Sequence, residues 1–517
     1  LGVYLKNNNQ KELLIEDIKS LLTNDNSSID LRSFPFDEPN LTSEFGGIQL
    51  PGPNIIDFTH HRSFFGHQTY SLCGITHTTA SYEVMSSFSS LLTEPVMPWD
   101  AIICTSESVL NTVNKILEVQ GDFLKSKVNF NKKVLPQLPI IPLGINTEEF
   151  DYSDDFKNNS RKKLNINDSD IVITYVGRLS FHAKAHHIPM YIALENAAKK
   201  LKKDQKIHLI QTGWFASDFI KNSFIDEAKS VCPSVNCIFL DGRDPLNKDI
   251  TLASADIFMS LSDNIQETYG LTPLEAMASA VPVIVSDWNG YRSTVRDNED
   301  GFRIPTYMLG EGYGEELMFK YMLGIIDYDN YIGGTVHKVG VDIKQCIDKL
   351  TLLIENADLR KKLGKNGKAR ANKNFSWNII LDQYEELYEE LDNIRTTQFR
   401  KFIDLNSKVL PSNRLDPFNL FSDYSTKKLS DKSIVCLTEG INHIEIEKFI
   451  EFSSINFTDE LPKIDEILKV TNSFEKKKDI SINQIISISK IDKDKVFNIV
   501  IFLLKYGYLS LCEEKNG

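Results

Sequence analysis

Short runs of apolar, largely β-branched residues recur between residues 55 and 285, separated by gaps of helix length. They form two series, one at 55–58, 101–105 and 138–143, and another at 171–176, 207–210, 235–240, 257–260 and 281–285. Such runs are typical of buried parallel strands, and helical patterns such as 108–119 and 190–202 fill the gaps. The sequence therefore predicts two doubly wound α/β domains, joined through the acidic, Asn-rich segment 147–170.

A helical pattern replaces the strand pattern after residue 375. Apolar side chains at helical spacing between 377 and 391 predict an amphipathic helix. Near the end, helical patterns at 464–474, 482–489 and 493–506 precede a short apolar run, which is the order of a winged-helix module. The last of these helices is mostly apolar, so we expect it to pack in a core or against a protein, and we expect no nucleic-acid binding.

The charge balance and the cysteines narrow the class of protein. Acidic residues outnumber basic ones by 71 to 58, a net charge of −13 that argues against general attraction to polyanions. The seven cysteines are scattered without a CxxC pair, so we expect neither a disulfide framework nor a zinc site, and a cytoplasmic location. The longest apolar-rich stretch, 496–511, is too short and too polar for a transmembrane helix. Peripheral contact with the inner face of a membrane stays open, because a modest basic patch comprises Lys125, Lys127, Lys132 and Lys133.

The most informative polar residues follow the fourth run of the second series. Thr272 is a good N-cap, Pro273 suits the first helical position and Glu275 stands three residues after the cap, so a helix is predicted to begin here. Its amino end favours an anion, and Gly270 lets a ligand approach the backbone. Glu267 lies just before the helix, so two carboxylates could hold different parts of one ligand. Two plainer interpretations stay open, with Glu275 in a capping box and Glu267 as a solvated loop acid.

The two acids, Glu267 and Glu275, stand in the segment Glu-Thr-Tyr-Gly-Leu-Thr-Pro-Leu-Glu-Ala-Met-Ala. This segment resembles the donor-site motif of the retaining glycosyltransferases of family four, which have the two-domain GT-B fold. Three further segments resemble that family in the same order, namely 141–150, 175–184 and 375–377. The resemblance covers about residues 54–395.

The resemblance implies an α/β protein of the GT-B fold, with two Rossmann-like doubly wound domains that face a cleft. We expect an acceptor-side domain at 1–160, a donor nucleotide-sugar domain at 161–375, a crossing helix at 376–400 and a helical, winged-helix-like extension at 401–517. Members of the family usually begin with a strand and a Gly-Gly loop that approaches the phosphates, whereas residues 1–5 make a poor first strand. Either Gly46 and Gly47 take that role, or part of the acceptor domain is missing.

The resemblance also implies roles for single residues. Arg178 and Lys184 would hold the donor diphosphate and stabilise the charge that grows as the glycosyl–phosphate bond breaks. Glu275 would bind the ribose hydroxyls, and Glu267 would meet the sugar. His77 resembles the histidine that lies near the transferred sugar from the other domain. The remaining donor-binding residues would be Gly177, Gly270, Leu271 and Thr272.

The predicted function is transfer of a sugar from a nucleoside diphosphate to a glycan or lipid-linked acceptor, with retention of configuration. We expect no metal or other cofactor beyond the nucleotide-sugar co-substrate, although His182, His186 and His187 have the helical spacing of metal ligands. A phosphorylase or synthase of the same architecture stays open, as does a catalytically idle nucleotide-sugar-binding protein whose C-terminal module binds a partner. The segment 306–341 is longer than expected and glycine-rich, and could be an inserted flap.

Overall fold

Two structural units divide the chain in its computed structural model, Leu1–Leu410 and Pro411–Gly517. The structure describes residues 2–5, 13–14, 16–18, 32–35, 38–129, 134–201, 205–405, 408–412, 414–438, 448–455, 461–475 and 477–512. Lys132 and Lys133 of the predicted basic patch therefore lie outside the described residues. No helix within these ranges is both long enough and apolar enough to cross a bilayer.

Parallel strands open the first unit. Strands β1 (Gly2–Leu5) and β2 (Arg32–Pro35) pair with each other, and β3 (Gly47–Gln49), β4 (Ser71–Ile75) and β5 (Ala101–Ile103) form a three-stranded sheet in that order. The expectation that residues 1–5 make a poor strand was therefore wrong. Gly46 and Gly47 stand at the amino end of β3, the edge opposite to the one that His77 follows, so they do not line the predicted cleft.

The helices around this sheet are α1 (Ile56–Ser63), α2 (Tyr82–Ser90) and α3 (Glu107–Val128). The run at 55–58 was expected to be a strand, and instead it begins α1, with Ile55 buried in the core. Helix α1 carries Arg62, whose guanidinium pairs with Asp100 in an ion pair that is fully buried at both side chains. Because a four-residue apolar run fits a buried helical turn as well as a strand, the sequence pattern did not separate the two.

The five runs of the second series are strands of one sheet, as predicted, and a sixth strand that was not predicted, β11 (Gly301–Ile304), joins them. The strands of this sheet are β6 (Ile171–Val176), β7 (Ile207–Gly213), β8 (Val235–Asp241), β9 (Ile257–Ser260), β10 (Val283–Ser286) and β11 (Gly301–Ile304). All neighbouring strands run parallel in the order β11-β10-β9-β6-β7-β8. The chain builds one half outward from β6 and the other outward from β9, so a topological switch point lies between these two strands.

Helices flank the second sheet on both faces. They are α4 (Asp154–Lys163), α5 (His187–Ala198), α6 (Asp218–Val231), α7 (Pro245–Ser254), α8 (Leu271–Ala278), α9 (Tyr291–Thr294), α12 (Ile343–Glu355) and α13 (Ala357–Asn374). Two more helices, α10 (Glu315–Met322) and α11 (Tyr328–Val336), lie in the segment between β11 and α12. The segment 147–170 was expected to be a linker, but it contains α4, which Arg161 fixes to Asp256 through an ion pair of 3.2 Å. Much of the predicted linker is thus the first helix of the second domain.

Helix α14 (Trp377–Gln398) returns the chain to the first sheet. Its buried side chains, Ile380, Leu387 and Leu391, pack against Cys73 and Ile75 of β4. The predicted amphipathic helix is therefore confirmed, and its apolar face covers the sheet from which the chain started.

The second unit is a small α/β module. It contains an antiparallel sheet of β14 (Ile434–Leu437), β15 (Asp479–Ser481) and β16 (Leu509–Leu511), and the helices α15 (Pro417–Leu420), α16 (Ile464–Asn472), α17 (Ile482–Ser489) and α18 (Lys493–Lys505). Strands are numbered along the chain, and β12 (Thr306–Met308) and β13 (Val339–Val341), which belong to the first unit, are described below. Val496, Val500 and Leu503 of α18 are buried in its core, as expected for a packing helix. Cys436 and Cys512 form a disulfide, which corrects the expectation of none, since their 76-residue separation hides a strand pairing.

Candidate functional site

The predicted donor-site residues follow the two strands that flank the switch point of the second sheet. Arg178 and Lys184 come after β6, and Glu267 and Glu275 come after β9. In open α/β sheets, ligands bind at the carboxyl edge beside the switch point. The topology therefore brings together residues that are 83 positions apart in sequence, as the contact between Lys184 and Glu267 shows.

Three neighbouring strands of this edge end in glycine. A Cβ added to Gly213, after β7, would lie 1.9 Å from the carbonyl oxygen of Gly177, after β6. A Cβ on Gly242, after β8, would lie 2.8 Å from the Cα of Gly213. Gly177 also has a φ of 148°, a conformation that favours glycine. The backbone segments at the carboxyl edge therefore pack so closely that a side chain at Gly213 or Gly242 would clash with a neighbouring strand end.

Lys184 and Glu267 form the central ion pair of the site. The Lys184 Nζ lies 3.3 Å from Glu267 Oε2, and the side chains are 35% and 9% exposed respectively. Tyr175 and Tyr291 lie within electrostatic reach of the Glu267 carboxylate, and burial together with this negative charge raises the pKa of both hydroxyls. Arg178 is half-buried, and its guanidinium makes no hydrogen bond or ion pair with the described residues. Of the two predicted donor-site cations, Lys184 is thus paired and Arg178 is available.

The helix after Glu267 begins differently from the prediction. Gly270 is the N-cap of α8, at a φ of 85°, and Thr272 lies inside the helix, with no side chain capping the amino end. A Cβ on Gly270 would lie 2.1 Å from Cε1 of Tyr291, so packing as well as φ requires glycine. Leu271 is the first helical residue and is partly exposed. The predicted Thr272 cap is therefore wrong, because the close approach of the Tyr291 ring and the glycine turn set the helix start.

Glu275 consequently does not act in a capping box. Its Oε1 atom accepts a hydrogen bond from Lys248 Nζ at 3.2 Å. Its Oε2 atom is buried and has no hydrogen-bond partner among the described residues. The sequence pattern did not identify Lys248, which lies on α7 with its ammonium 5.1 Å from the centre of the Phe150 ring. A buried acceptor without a donor is what a ligand hydroxyl would satisfy.

Loops from the three-stranded and the six-stranded sheet of the first unit meet at the predicted site. The Thr268 hydroxyl donates to the carbonyl oxygen of His77 at 2.9 Å, and the Ser106 hydroxyl donates to the carbonyl of Thr268 at 3.0 Å. The exposed ring of His77 bonds the carbonyl of Pro51 through Nε2. His77, which follows β4, is thereby held beside the residue next to Glu267.

Three consecutive side chains join the Lys184 loop to the Glu267 loop. Ser262 Oγ donates to the carbonyl of Lys184 at 3.1 Å, and Asp263 Oδ1 accepts from the amide of His186 at 3.1 Å. Asn264 Nδ2 donates to the carbonyl of His182. Burial raises the pKa of Asp263 to about 7. The sequence analysis did not use this segment, although polar residues directly after a buried strand were a signal for it.

The histidines with metal-like spacing contact other partners: the rings of His186 and His187 stack on each other at 5.3 Å. His187 is buried, stacks on Phe224 at 4.0 Å and bonds Glu227 at 2.6 Å, while burial lowers its pKa to about 4. His182 faces Asp329, at 3.7 Å. Among the described residues, no group of three or more His, Cys, Asp or Glu side chains is arranged to hold a metal ion.

Comparison with known families fits the position of this site. Residues 156–311, which contain every predicted donor-side residue, match the family described as glycosyl transferases group 1. The match supports the group 1 glycosyltransferase family, of GT-B type. The group 1 match begins within α4 and extends past β11, so it covers the whole six-stranded sheet.

Individual curated relatives match this chain over part of their length. The chain is 28% identical over 188 residues to the alpha-monoglucosyldiacylglycerol synthase of Streptococcus pneumoniae, covering 36% of this chain and 37% of that protein. It is 26% identical over 152 residues to the phosphatidyl-myo-inositol mannosyltransferase of Mycobacterium leprae, covering 29% and 31%. The chain spans between 31% and 51% of the length of the curated relatives it matches. Among solved structures, Anabaena HepE in complex with UDP has a TM-score of 0.48 at 15% identity, covering 75% and 92%.

Proposed function

We propose that the protein is a glycosyltransferase that moves a sugar from a nucleoside diphosphate to an acceptor hydroxyl with retention of configuration. The observation that supports this most directly is the Lys184–Glu267 pair at the switch point, beside the available cation of Arg178 and the unpartnered oxygen of Glu275. Two cations suit a diphosphate, and two carboxylates suit the hydroxyl groups of the ribose and the sugar.

The proposed role of each residue follows from the chemistry of its side chain. Arg178 and Lys184 stabilise the negative charge that grows on the leaving diphosphate, which is the main source of rate when no protein nucleophile takes part. The bond from the anomeric carbon to the phosphate oxygen breaks, and a bond to the acceptor oxygen forms on the same face. The acceptor proton passes to the departing phosphate oxygen, and a glycoside and a nucleoside diphosphate leave. Glu275 Oε2 accepts from a ribose hydroxyl, and Glu267 and His77 orient the sugar.

We propose the acceptor only as a chemical class, namely a hydroxyl group of a glycan or of a lipid-linked molecule. Two relatives carry names that refer to glycosylation of a lipid, which makes diacylglycerol and inositol lipids the first acceptors to test. We propose a cytoplasmic enzyme that contacts the inner face of a membrane peripherally, with the exposed Lys125 and Lys127 at the end of α3 facing the lipid. Neither a metal nor another cofactor is needed in this scheme, because Arg178 and Lys184 supply the positive charge.

The decisive experiment measures release of nucleoside diphosphate and sugar transfer by the full chain against a panel of nucleotide sugars. Arg178→Ala should lower kcat by about 10²- to 10³-fold, since it removes one group that stabilises the transition state. Glu275→Gln should weaken donor binding instead, and Lys229→Ala, an exposed site on α6, serves as the control. Proton NMR of the product reads its anomeric configuration. Donor binding without any turnover would favour the catalytically idle alternative, and full activity of Arg178→Ala would contradict the assignment.

A further inference from the structure

The glycine-rich segment between the second sheet and α12 forms an arm with its own base. Strands β12 (Thr306–Met308) and β13 (Val339–Val341) pair antiparallel, and α10 and α11 lie between them. The amide of Asp342, just after β13, donates to the carbonyl of Pro305 at 2.9 Å. The base is therefore fixed to the sheet that carries the donor site.

The arm packs on three loops of the candidate site at once. Ile332 of α11 is fully buried in a cluster with Ala80 and Ala183, and Ile265 packs on the same cluster. Ala183 directly precedes Lys184 in the chain, Ile265 stands two residues before Glu267, and Ala80 stands three residues after His77. The cluster around Ile332 thus includes chain neighbours of three of the four predicted catalytic residues, which follow strands of two different sheets.

Further contacts of the arm reach residues on the side of the first sheet and residues on the side of the second sheet. Towards the first sheet, the hydroxyl of Tyr321 accepts from the amide of Tyr82 at 3.4 Å, and Tyr328 lies beside Thr78. Towards the second sheet, Asp329 lies 3.7 Å from His182, and a Cβ on Gly333 would lie 3.1 Å from the Cβ of that histidine. Tyr321 and Tyr331 stack at 4.5 Å, which joins α10 to α11.

We propose that residues 306–341 are a brace across the cleft and that Ile332 is a positioning residue for the reaction. The brace holds the His77 loop against the Lys184 and Glu267 loops, so that the acceptor-side and donor-side groups keep one spacing while water stays excluded. This proposal rests on the proposed function for its catalytic consequence, but the coupling of the loops does not depend on it.

The test compares Ile332→Ala with the conservative Ile332→Val, and Tyr321→Phe with Tyr313→Phe. Tyr313 lies on the same arm, and its side chain is 71% exposed, so it is a matched control for loss of a hydroxyl. Hydrogen exchange of the amides at 76–82 and 182–186 is measured in each full-length variant. Ile332→Ala should speed exchange in both segments by about tenfold, Tyr321→Phe in the first segment only, and Ile332→Val and Tyr313→Phe in neither.

The kinetic arm of the test uses the donor that the wild-type protein turns over. Ile332→Ala should lower kcat for transfer by about tenfold to a hundredfold and raise the share of donor that is hydrolysed, because misplaced loops disturb the reacting geometry and admit water. Unchanged exchange in Ile332→Ala, while the wild type transfers sugar, would overturn the brace. Faster exchange in both segments, with no sugar transfer by the wild type, would support the brace and overturn the proposed function.

Discussion

The pair of Lys184 and Glu267 allows the structural and catalytic parts of the argument to be measured separately. In Lys184→Ala, the Glu267 carboxylate, only 9% exposed, loses the ammonium that lies 3.3 Å from it. A charged group left buried without its partner costs about 1–3 kcal/mol of folding free energy. Lys184 is 35% exposed, so solvent screens the pair and the expected loss lies at the lower end of that range.

The catalytic effect of the same substitution should be much larger. Removing one group that stabilises charge in the transition state lowers kcat by about 10²- to 10³-fold. Adding Glu267→Gln to Lys184→Ala removes the buried charge as well as its partner, so the double variant should recover most of the lost stability. It should recover none of the lost activity, because the cation that faces the leaving group is still absent.

Chemical denaturation gives the free energy of unfolding, and nucleoside diphosphate release gives the rate, with Lys229→Ala as the control. The expected pattern is a destabilised and inactive single variant beside a stable and inactive double variant. A single variant as stable as the control would show that the carboxylate does not depend on Lys184. Activity that returned in the double variant would show that the ammonium serves only to neutralise Glu267, and the proposed contact with the diphosphate would be wrong.

Two further predictions concern the loops on either side of this pair. Burial raises the pKa of Asp263 to about 7, so ionisation opposes folding increasingly between about pH 4 and pH 7 and by a constant amount above that range. Asp263→Asn keeps an acceptor for the His186 amide, and its stability advantage over wild type, measured by urea denaturation, should grow by about 2 kcal/mol from pH 5 to pH 8. A constant difference would contradict the assignment of a neutral carboxyl. Gly270→Ala places a Cβ 2.1 Å from Tyr291 at a φ of 85°. It should lower the free energy of unfolding by about 1–3 kcal/mol and weaken donor binding. Gly310→Ala is the control, because open space surrounds that glycine, and it should change neither quantity in the same assays.

Five of the six strands of the second sheet could be predicted, mostly because they are buried on both faces, whereas β11 was missed because Arg303 interrupts its short apolar run. A strand such as β6 or β10 must be apolar throughout, and that continuous pattern is visible without any knowledge of its neighbours. The prediction of a strand at 55–58 was wrong because four residues are too few to show whether the apolar side chains repeat with the period of a strand or of a helix. The disulfide between Cys436 and Cys512 was missed for another reason, since only the antiparallel pairing of β14 and β16 brings the two residues together.

The site residues that come soon after a strand in the sequence could be predicted. Lys184 and Glu267 were identified from local pattern and resemblance, and the sheet order explains why they meet. The hydrogen bond from Thr268 to His77 and the packing of Ile332 join segments that are far apart in sequence. No periodicity or spacing marks such contacts, because they depend on how two separately formed sheets approach each other.

The amino end of α8 shows how a local folding rule yields to the requirements of a site. Thr272 and Glu275 have the spacing of a capping box, which would satisfy two amide groups and stabilise the helix. The structure leaves that pair unused, since Gly270 begins the helix and no side chain caps it. The result is an amino end with open amides and a carboxylate whose Oε2 is buried without a partner. Both features cost stability in the free protein, and a ligand that presents an anion and a neighbouring hydroxyl would remove both costs at once. A phosphate ester of a ribose carries both kinds of group, so the departure from the capping rule agrees with the nucleotide site proposed at this position.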